Sequence, residues 1–470
     1  MALSLKKRNI DATEGPIFPK MISFVIPLML TNLLQHLYNM ADNIVVGQFS
    51  GDPNALGAVG STSAFNSILT QLFIGCAAGS AVVVARSFGA RDRDTLSKAA
   101  HTALLFGLIA GITVGVIGLV ISEPVLLALD TKDELMKNAL AYIRVICIGM
   151  PAISVYNFGA SILRSTGDSR TPLYTLTASG ILNVVLNLVF VIVFDLSVVG
   201  VAIATVVAHY LSATVVVTVL AKRTSEPYAL SLAKLKIDRA VLLRILHLGI
   251  PAAVQGALFG FTNMFLHKAL NGFPTPVVNA RTIATNIDVL LSTAINTYLH
   301  VAMTFTGQNL GAKKYDRIKR SLAYALIQVA TLGIVVGQLM LVFHEPLVNL
   351  YLSSDNPYRV EIMDACKTIM TVMLSSYFLG AINEALSGFI RGLGSSVPPM
   401  IASIGGICVF RCIWIFLIFP SIKDTLGLTG LYLVYPASWL LTGLGLVFMA
   451  FYVWRKKVRP NMVEAAGATE

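Results

Sequence analysis

Two similar stretches of sequence decide the fold. "ARSFGARDRDTLSKA" spans residues 85–99, and "GQNLGAKKYDRIKRS" spans residues 307–321, at an offset of 222. Two further pairs follow at nearly the same offset: "SEPVLLALD" (122–130) with "HEPLVNLYL" (344–352), and "SILRSTGDSRTP" (161–172) with "GFIRGLGSSVPP" (388–399). Because the offset between the paired stretches changes by only a few residues from the first pair to the last, the sequence indicates an internal duplication.

The composition is typical of a helical membrane protein. Of the 470 residues, 56% are hydrophobic and only 13% are charged, whereas soluble domains carry about 25% charged residues. Many apolar runs exceed the ~20 residues that a spanning helix needs, and breaking them at Pro, Gly and charge clusters gives twelve spans. We therefore predict an all-α polytopic membrane protein with two six-helix lobes, related by a pseudo-twofold axis along the membrane normal.

The basic residues orient these spans. Most of the 35 Lys and Arg residues fall on the side that also carries both chain termini, and the positive-inside rule makes that side cytoplasmic. The predicted domains are a cytoplasmic N-terminal tail (1–19), an N-terminal lobe (20–221), a cytoplasmic linker (222–239), a C-terminal lobe (240–454) and a cytoplasmic C-terminal tail (455–470). The net charge of +11 then reflects topology and contact with anionic lipids, and we expect no nucleic-acid partner.

Several of these motifs resemble one transporter family. "NMADNIVVGQ" (39–48), the pair "ARSFGA" and "GQNLGA", and the pair "ILRSTGDSRTP" and "GFIRGLGSSVPP" are similar to motifs of the multidrug and toxic compound extrusion (MATE) family, and the similarity covers about residues 20–455. The resemblance implies a monomeric antiporter of the prokaryotic inner membrane, coupled to Na⁺ or H⁺ and without another cofactor. Its expected substrates are small amphipathic, often cationic, organic compounds, exported by alternating access of the two lobes.

Asp42 is the acid in the first apolar run. A charged side chain within the hydrocarbon layer costs at least about 2.5 kcal/mol, so it should face the interior of the helix bundle and have a partner. Gln35, Asn39 and Asp42 recur at spacings of four and three, which places them on one helix face. We interpret this polar face as the lining of a wet cavity.

The resemblance assigns Asp42, Asn183, Asn187 and Thr205 to a cation site in the N-terminal lobe, with Asn39 beside it. Asn187 departs from the family pattern, which often has Asp at that position. A carboxylate, two amides and a hydroxyl supply the oxygen ligands that a hard cation prefers, and with one carboxylate either one Na⁺ or one proton neutralises the site. Helix packing through these polar side chains is the alternative interpretation.

The second half carries a different set of charges. The span that corresponds to the first one lacks an acid, although Gln255 and Asn263 keep a polar face there. Asp288, Glu384 and Arg411 lie within later spans, and because isolated charges are costly in a membrane, we expect internal ion pairs. These residues either line the substrate cavity or form structural ion pairs, and the sequence leaves both interpretations open.

Two other functions compete with antiport. A flippase for a lipid-linked saccharide or lipid headgroup would need basic side chains facing its cavity, and Lys268, Arg281 and Arg411 are candidates. A membrane-embedded enzyme is disfavoured, because the sequence has no HExxH motif, nucleophile elbow or clustered His/Asp pair. The five cysteines also lack metal-ligand spacing, so we expect no metal site.

Overall fold

The computed structural model describes residues 9–270, 272–353 and 355–462, and these form helices and turns with no strand among them. The first half contains α1 (Ile17–Phe49), α2 (Ala55–Gly89), α3 (Arg93–Ala128), α4 (Asp133–Ser165), α5 (Arg170–Leu188) and α6 (Ser197–Lys222). The second half contains α7 (Arg239–Leu270), α8 (Thr275–Gly311), α9 (Tyr315–Val342), α10 (His344–Asn349), α11 (Arg359–Ser375), α12 (Tyr377–Gly392), α13 (Val397–Ser403), α14 (Phe410–Ile413), α15 (Phe419–Tyr432) and α16 (Val434–Val453).

These helices group into membrane spans. Within the described residues, 10 helical segments are long and apolar enough to cross a membrane, and α11 with α12, bent by 42°, make one further span. The segment from α13 to α15 is a single span that includes two π-helical stretches. α8 has 37 residues and is long enough to span, but Thr, Asn and Asp side chains make it more polar. The prediction of an all-α polytopic membrane protein with twelve spans is confirmed.

The chain divides into two compact units. The first comprises the residues up to Ala12 together with Ile22–Gly256, and the second comprises Thr13–Met21 and the residues from Ala257 onward. The division therefore falls inside α1 and inside α7. The predicted linker, residues 222–239, lies wholly within the first unit.

Glycines allow close helix contacts inside each unit. In the first unit, a β-carbon on Gly79 of α2 would lie 2.3 Å from the carbonyl oxygen of Ile245 in α7. In the second unit, a β-carbon on Gly388 of α12 would lie 2.2 Å from the carbonyl oxygen of Leu299 in α8. Small residues at such crossings are what allows the backbones of membrane helices to touch.

The duplication is visible in hydrogen bonds. After α2 and after α8, the chain turns through a residue in the left-handed region, Arg91 (φ 56°) and Lys313 (φ 57°). The next residue in each case, Asp92 and Lys314, donates its backbone N–H to the carbonyl five residues earlier, at 3.1 and 2.9 Å. The two stretches that reveal the duplication in the sequence therefore form the same turn.

The turn before α5 is held by a polar cluster within the first unit. Asp168 accepts hydrogen bonds from the backbone N–H and the hydroxyl of Thr171, at 2.9 and 2.5 Å, and forms an ion pair with Arg223 at the end of α6. Gly167 has φ +91°, and a β-carbon there would lie 2.2 Å from the carbonyl oxygen of Ile10. The "STGDSRTP" motif thus fixes where α5 begins, and α5 carries the two asparagines of the predicted site.

Candidate cation-coupling site

Four of the five residues predicted for cation coupling meet in the first unit. Asn187 of α5 donates from Nδ2 to Asp42 Oδ1 at 2.5 Å, and Thr205 of α6 donates from Oγ1 to Asp42 Oδ2 at 3.2 Å. Asn183, one turn before Asn187, donates from Nδ2 to the Thr205 hydroxyl at 3.3 Å. Three helices that are distant in sequence thus place one carboxylate, two amides and a hydroxyl together.

The hydrogen bonds suit the ionised form of Asp42. Asn183 and Asn187 are 4% and 0% exposed, and both carboxylate oxygens of Asp42 accept a hydrogen bond. The Oδ1 atom of Asn187 is buried and has no hydrogen-bond partner among the described residues. Because an amide can present either its N–H groups or its oxygen after rotation, Asn187 can serve an anionic or a neutralised Asp42.

A glycine that the sequence analysis missed brings α1 close to α5. A β-carbon on Gly180 would lie 1.9 Å from Cζ of Tyr38, so the tyrosine ring lies directly against the glycine backbone. Tyr38 precedes Asp42 by one turn, and Gly180 precedes Asn183 by nearly one turn. This contact fixes the separation between the helix that carries the acid and the helix that carries the amides.

A π-helical stretch, Val189–Val193, begins two residues after Asn187. The N–H of Phe194 donates to the carbonyl oxygen of Val189 at 3.1 Å, which is the wider spacing of a π turn. Such turns widen a helix locally and are frequent at functional sites. The π-helical stretch follows directly after α5, which ends one residue beyond Asn187, the last α5 residue of the cluster around Asp42.

Two other predicted residues of α1 do not join the cluster. Gln35 and Asn39 are exposed, and neither forms a side-chain hydrogen bond to another described residue. Gln255 is buried, at 6% exposure, and belongs to the first unit rather than the second. The side chain of Asn263 lies outside what the structure describes. The assignment of Asn39 to cation coupling, and of Gln35, Gln255 and Asn263 to the cavity, stays a prediction.

The second unit contains a cavity of about 370 Å³. Its charged lining residues are Arg281, Asp288, Glu384 and Arg411. Three of these were predicted as cavity residues, and the structure brings them together around one space. The fourth, Arg281, is one of the basic candidates for the flippase function.

The expected internal ion pairs are not seen at contact distance for Asp288 and Glu384. Among the described residues, no Lys or Arg nitrogen lies within 4.0 Å of a carboxylate oxygen of Asp288 or Glu384. Arg411 donates from Nε to Ser438 Oγ at 3.1 Å, and its guanidinium lies 4.4 Å from the ring centre of Tyr435. Asp288, Glu384 and Arg411 border one cavity rather than packing directly against each other.

Aromatic rings form a large part of the cavity wall. Tyr377 and Trp439 lie 5.2 Å apart between ring centres, and Trp439 lies 5.5 Å from Tyr435. Asn383 holds this wall, because its Nδ2 donates to the carbonyl oxygen of Trp439 at 2.9 Å. Flat apolar rings beside a few charged groups suit amphipathic organic molecules with rings of their own.

Comparison with known proteins agrees with the duplication. The MatE family model matches the chain twice, over residues 27–189 and over residues 251–417. The second match begins 224 residues after the first, which is within the range of offsets seen between the sequence motifs. Each half therefore carries one copy of the family pattern.

The similarity to individual relatives extends over nearly the whole chain. The probable multidrug resistance protein YoeA of Bacillus subtilis is 25% identical over 96% of this chain and 97% of its own length. The probable multidrug resistance protein NorM of Thermotoga maritima is 24% identical, over 97% of each chain. A solved outward-facing multidrug resistance MATE family transporter of the MOP superfamily has the same fold, with a TM-score of 0.86 at 22% identity, over 95% of this chain and 98% of that one.

Proposed function

Because the chain belongs to the MATE family, we propose that it exports amphipathic, often cationic, organic compounds in exchange for Na⁺ or H⁺. The relatives named as multidrug resistance proteins support multidrug efflux as its activity. The observation that carries the cation coupling is the contact of Asp42 with Asn187 and Thr205, which unites three helices around one carboxylate.

Neutralisation of Asp42 drives the exchange in this proposal. An ionised Asp42 holds Asn187 and Thr205 as hydrogen-bond donors, whereas Na⁺ or a proton would remove the charge and favour rotation of the Asn187 amide. The bound cation thereby changes the relative stability of two arrangements of α1, α5 and α6. A ligand shifts such an equilibrium only by the difference in its affinity for the two states.

One carboxylate sets the expected stoichiometry. Asn187 contributes no charge, so one Na⁺ or one proton leaves the site neutral. The amide oxygens of Asn183 and Asn187 and the Thr205 hydroxyl are available as further ligands for Na⁺, while a proton would need only Asp42. We propose one coupling cation per cycle and leave its identity to experiment.

The location follows from charge and family. We propose that the protein lies in a prokaryotic inner membrane as a monomer, with both termini in the cytoplasm, because most Lys and Arg residues share their side. The 370 Å³ cavity of the second unit, with its aromatic wall and its mixture of charges, would contribute to substrate binding.

The test is transport by the full-length protein in liposomes. A fluorescent lipophilic cation is followed while a Na⁺ gradient and a H⁺ gradient are imposed separately, with Asp42→Asn and, as the matched control, Asp316→Asn, whose side chain is exposed at the start of α9. Dye movement driven by one gradient, lost in Asp42→Asn and kept in Asp316→Asn, would support antiport and identify the ion. Failure of both gradients, or equal transport by Asp42→Asn and the parent, would refute the proposal.

A flippase for a lipid-linked saccharide or lipid headgroup is the second candidate. The observation in its favour is that two arginines, Arg281 and Arg411, line the cavity of the second unit, because an anionic headgroup needs cationic partners. Fluorescent lipid analogues in the same liposomes separate the two candidates. Lipid movement without dye movement would place the flippase first.

A further inference from the structure

A second cavity, of about 690 Å³, lies in the first unit on the side of the membrane that carries most basic residues. It is bordered by the start of α3, by the segment that connects α6 to α7, and by the first residue of α7. Its basic lining residues are Arg93, Lys98, Lys234, Lys236 and Arg239. We refer to it as the linker pocket, and the proposed transport cycle makes no use of it.

Hydrogen bonds between α3 and the connecting segment build the wall of the linker pocket. His101 is 1% exposed; its Nδ1 lies 2.8 Å from the carbonyl oxygen of Ser97, and its Nε2 accepts the N–H of Ser231 at 3.0 Å. The next residue, Thr102, accepts the N–H of Asp238 at 3.0 Å. The connecting segment is therefore fixed to α3 at two points, and the pocket between them is part of the folded unit.

The positive charge of the pocket is not neutralised by its own acids. Asp94 forms an ion pair with Lys98 at 2.5 Å, and Asp238 accepts the N–H of Val241 at 3.0 Å, which caps α7. The remaining lining bases have no carboxylate partner within 4.0 Å among the described residues: Arg93, Lys234, Lys236 and Arg239. Five bases and two acids line the pocket, and this excess of positive charge in one concavity attracts an anion.

The helix ends beside the pocket already have anionic partners. α3 begins at Arg93 and α7 begins at Arg239, so both helices start at residues that line the pocket. The first backbone N–H groups of a helix carry partial positive charge and favour anions near them, and Asp92 and Asp238 cap the two helices by accepting the N–H groups of Thr95 and Val241, each at 3.0 Å. The attraction for a further anion therefore comes from the basic side chains.

We propose that the linker pocket binds a phosphate group, either from the headgroup of an anionic phospholipid or from a soluble phosphorylated compound. Lys and Arg are the usual partners of phosphate oxygens, and basic pockets on the cytoplasmic side of membrane helices attract anionic headgroups. A bound phosphate would bridge α3, the connecting segment and α7. It would therefore stabilise the segment that joins the two halves of the duplication.

Hydrogen–deuterium exchange of the full-length protein in lipid-free detergent micelles tests this proposal. The micelles receive dioleoylphosphatidylglycerol, or dioleoylphosphatidylcholine as the neutral comparison, and separate samples receive glycerol 3-phosphate or inorganic pyrophosphate. Slower exchange in residues 231–241 with phosphatidylglycerol alone would assign the site to a lipid headgroup. The same protection by the soluble compounds would assign it to a soluble ligand.

Charge-neutral variants make the test specific to the pocket. The double variant Lys234→Gln with Lys236→Gln removes two exposed bases of the pocket, and we expect it to need about tenfold more ligand for equal protection. The matched control is Lys319→Gln with Arg320→Gln, which removes two exposed bases at the corresponding start of α9 and should leave protection unchanged. Absence of protection by every compound, or an equal loss in both double variants, would overturn the proposal.

Discussion

The last membrane span but one of each half, α5 in the first and the segment from α13 to α15 in the second, has a similar irregular backbone but different polar side chains. In the register that pairs Arg164 with Arg391, Asn187 corresponds to Trp414, the first residue of the π-helical stretch Trp414–Ile418. In the first half, the stretch Val189–Val193 likewise begins just past Asn187. The duplication has therefore kept the irregular turn while the polar side chains beside it have changed.

The charges differ accordingly. α5 supplies Asn187 as a donor to Asp42, whereas the corresponding segment supplies Arg411, which lies against Tyr435 and Ser438. In the first unit the acid has partners on both oxygens, and in the second the Oδ1 atom of Asp288 is buried without one among the described residues. The difference suggests a division of work, with cation coupling in the first unit and substrate contact in the second.

The largest expected effect is on transport, and it distinguishes Asp42 of the first unit from Asp288 of the second. Asp42→Asn should reduce gradient-driven dye transport to the level of protein-free liposomes, because the amide cannot change charge. Asp288→Asn should retain most of the transport, because that acid is assigned to substrate contact. Initial rates in liposomes with equal protein content measure both. If Asp288→Asn is inactive and Asp42→Asn is active, the assignment of cation coupling to the first unit is wrong.

The second largest effect concerns stability of the corresponding turns. Asp168→Ala leaves the half-buried Arg223 without its ion-pair partner and should cost about 3 kcal/mol. Ser395 is the equivalent residue of the second half and makes no side-chain hydrogen bond among the described residues, so Ser395→Ala should cost less than about 0.5 kcal/mol. Thermal unfolding in the same detergent measures both. Equal shifts in Tm would contradict the assignment of the turn to Asp168.

A smaller effect is expected at the contact between α1 and α5. Gly180→Ala places a carbon against the Tyr38 ring and should separate Asp42 from Asn187, which we expect to lower the transport rate about tenfold. Gly405→Ala is the control, because its β-carbon would meet no atom within 4 Å. The rates of both variants are measured at matched expression. Parental activity in Gly180→Ala would show that this contact does not position the site.

The smallest effect tests the second unit. Arg411→Met removes a positive charge from the cavity and should lower the apparent KM for a lipophilic cation about threefold, because like charges repel. The dependence on the coupling ion should not change. Arg411→Lys keeps the charge and should keep the parental KM. Loss of gradient dependence in Arg411→Met would assign coupling to the second unit instead.

The sequence predicts the fold for physical reasons, and the family resemblance selects the four residues of the candidate site. Long apolar runs permit only helices in a bilayer, and the duplication fixes how they group. The positions of Asp42, Asn183, Asn187 and Thr205 follow from motifs, and the structure places these side chains in hydrogen-bonding contact.

Other contacts between distant side chains cannot be predicted from one sequence. Helical spacing places Glu384 and Arg391 on one face, but it does not show that Glu384 borders a cavity together with side chains of other helices. The packing of Tyr38 on Gly180 and the ion pair of Asp168 with Arg223 join residues more than 50 positions apart. Nothing in one sequence identifies Arg223 as the partner of Asp168 or Tyr38 as the neighbour of Gly180.

The most direct test of the central claim is a count of the coupling cations bound per protein. Equilibrium binding of radioactive Na⁺ and proton release on dilution into a weakly buffered pH indicator are measured for the parent, Asp42→Asn and Asp288→Asn. The account predicts one cation for the parent, none for Asp42→Asn and one for Asp288→Asn. A full cation retained by Asp42→Asn, or lost from Asp288→Asn, would contradict a single coupling site in the first unit.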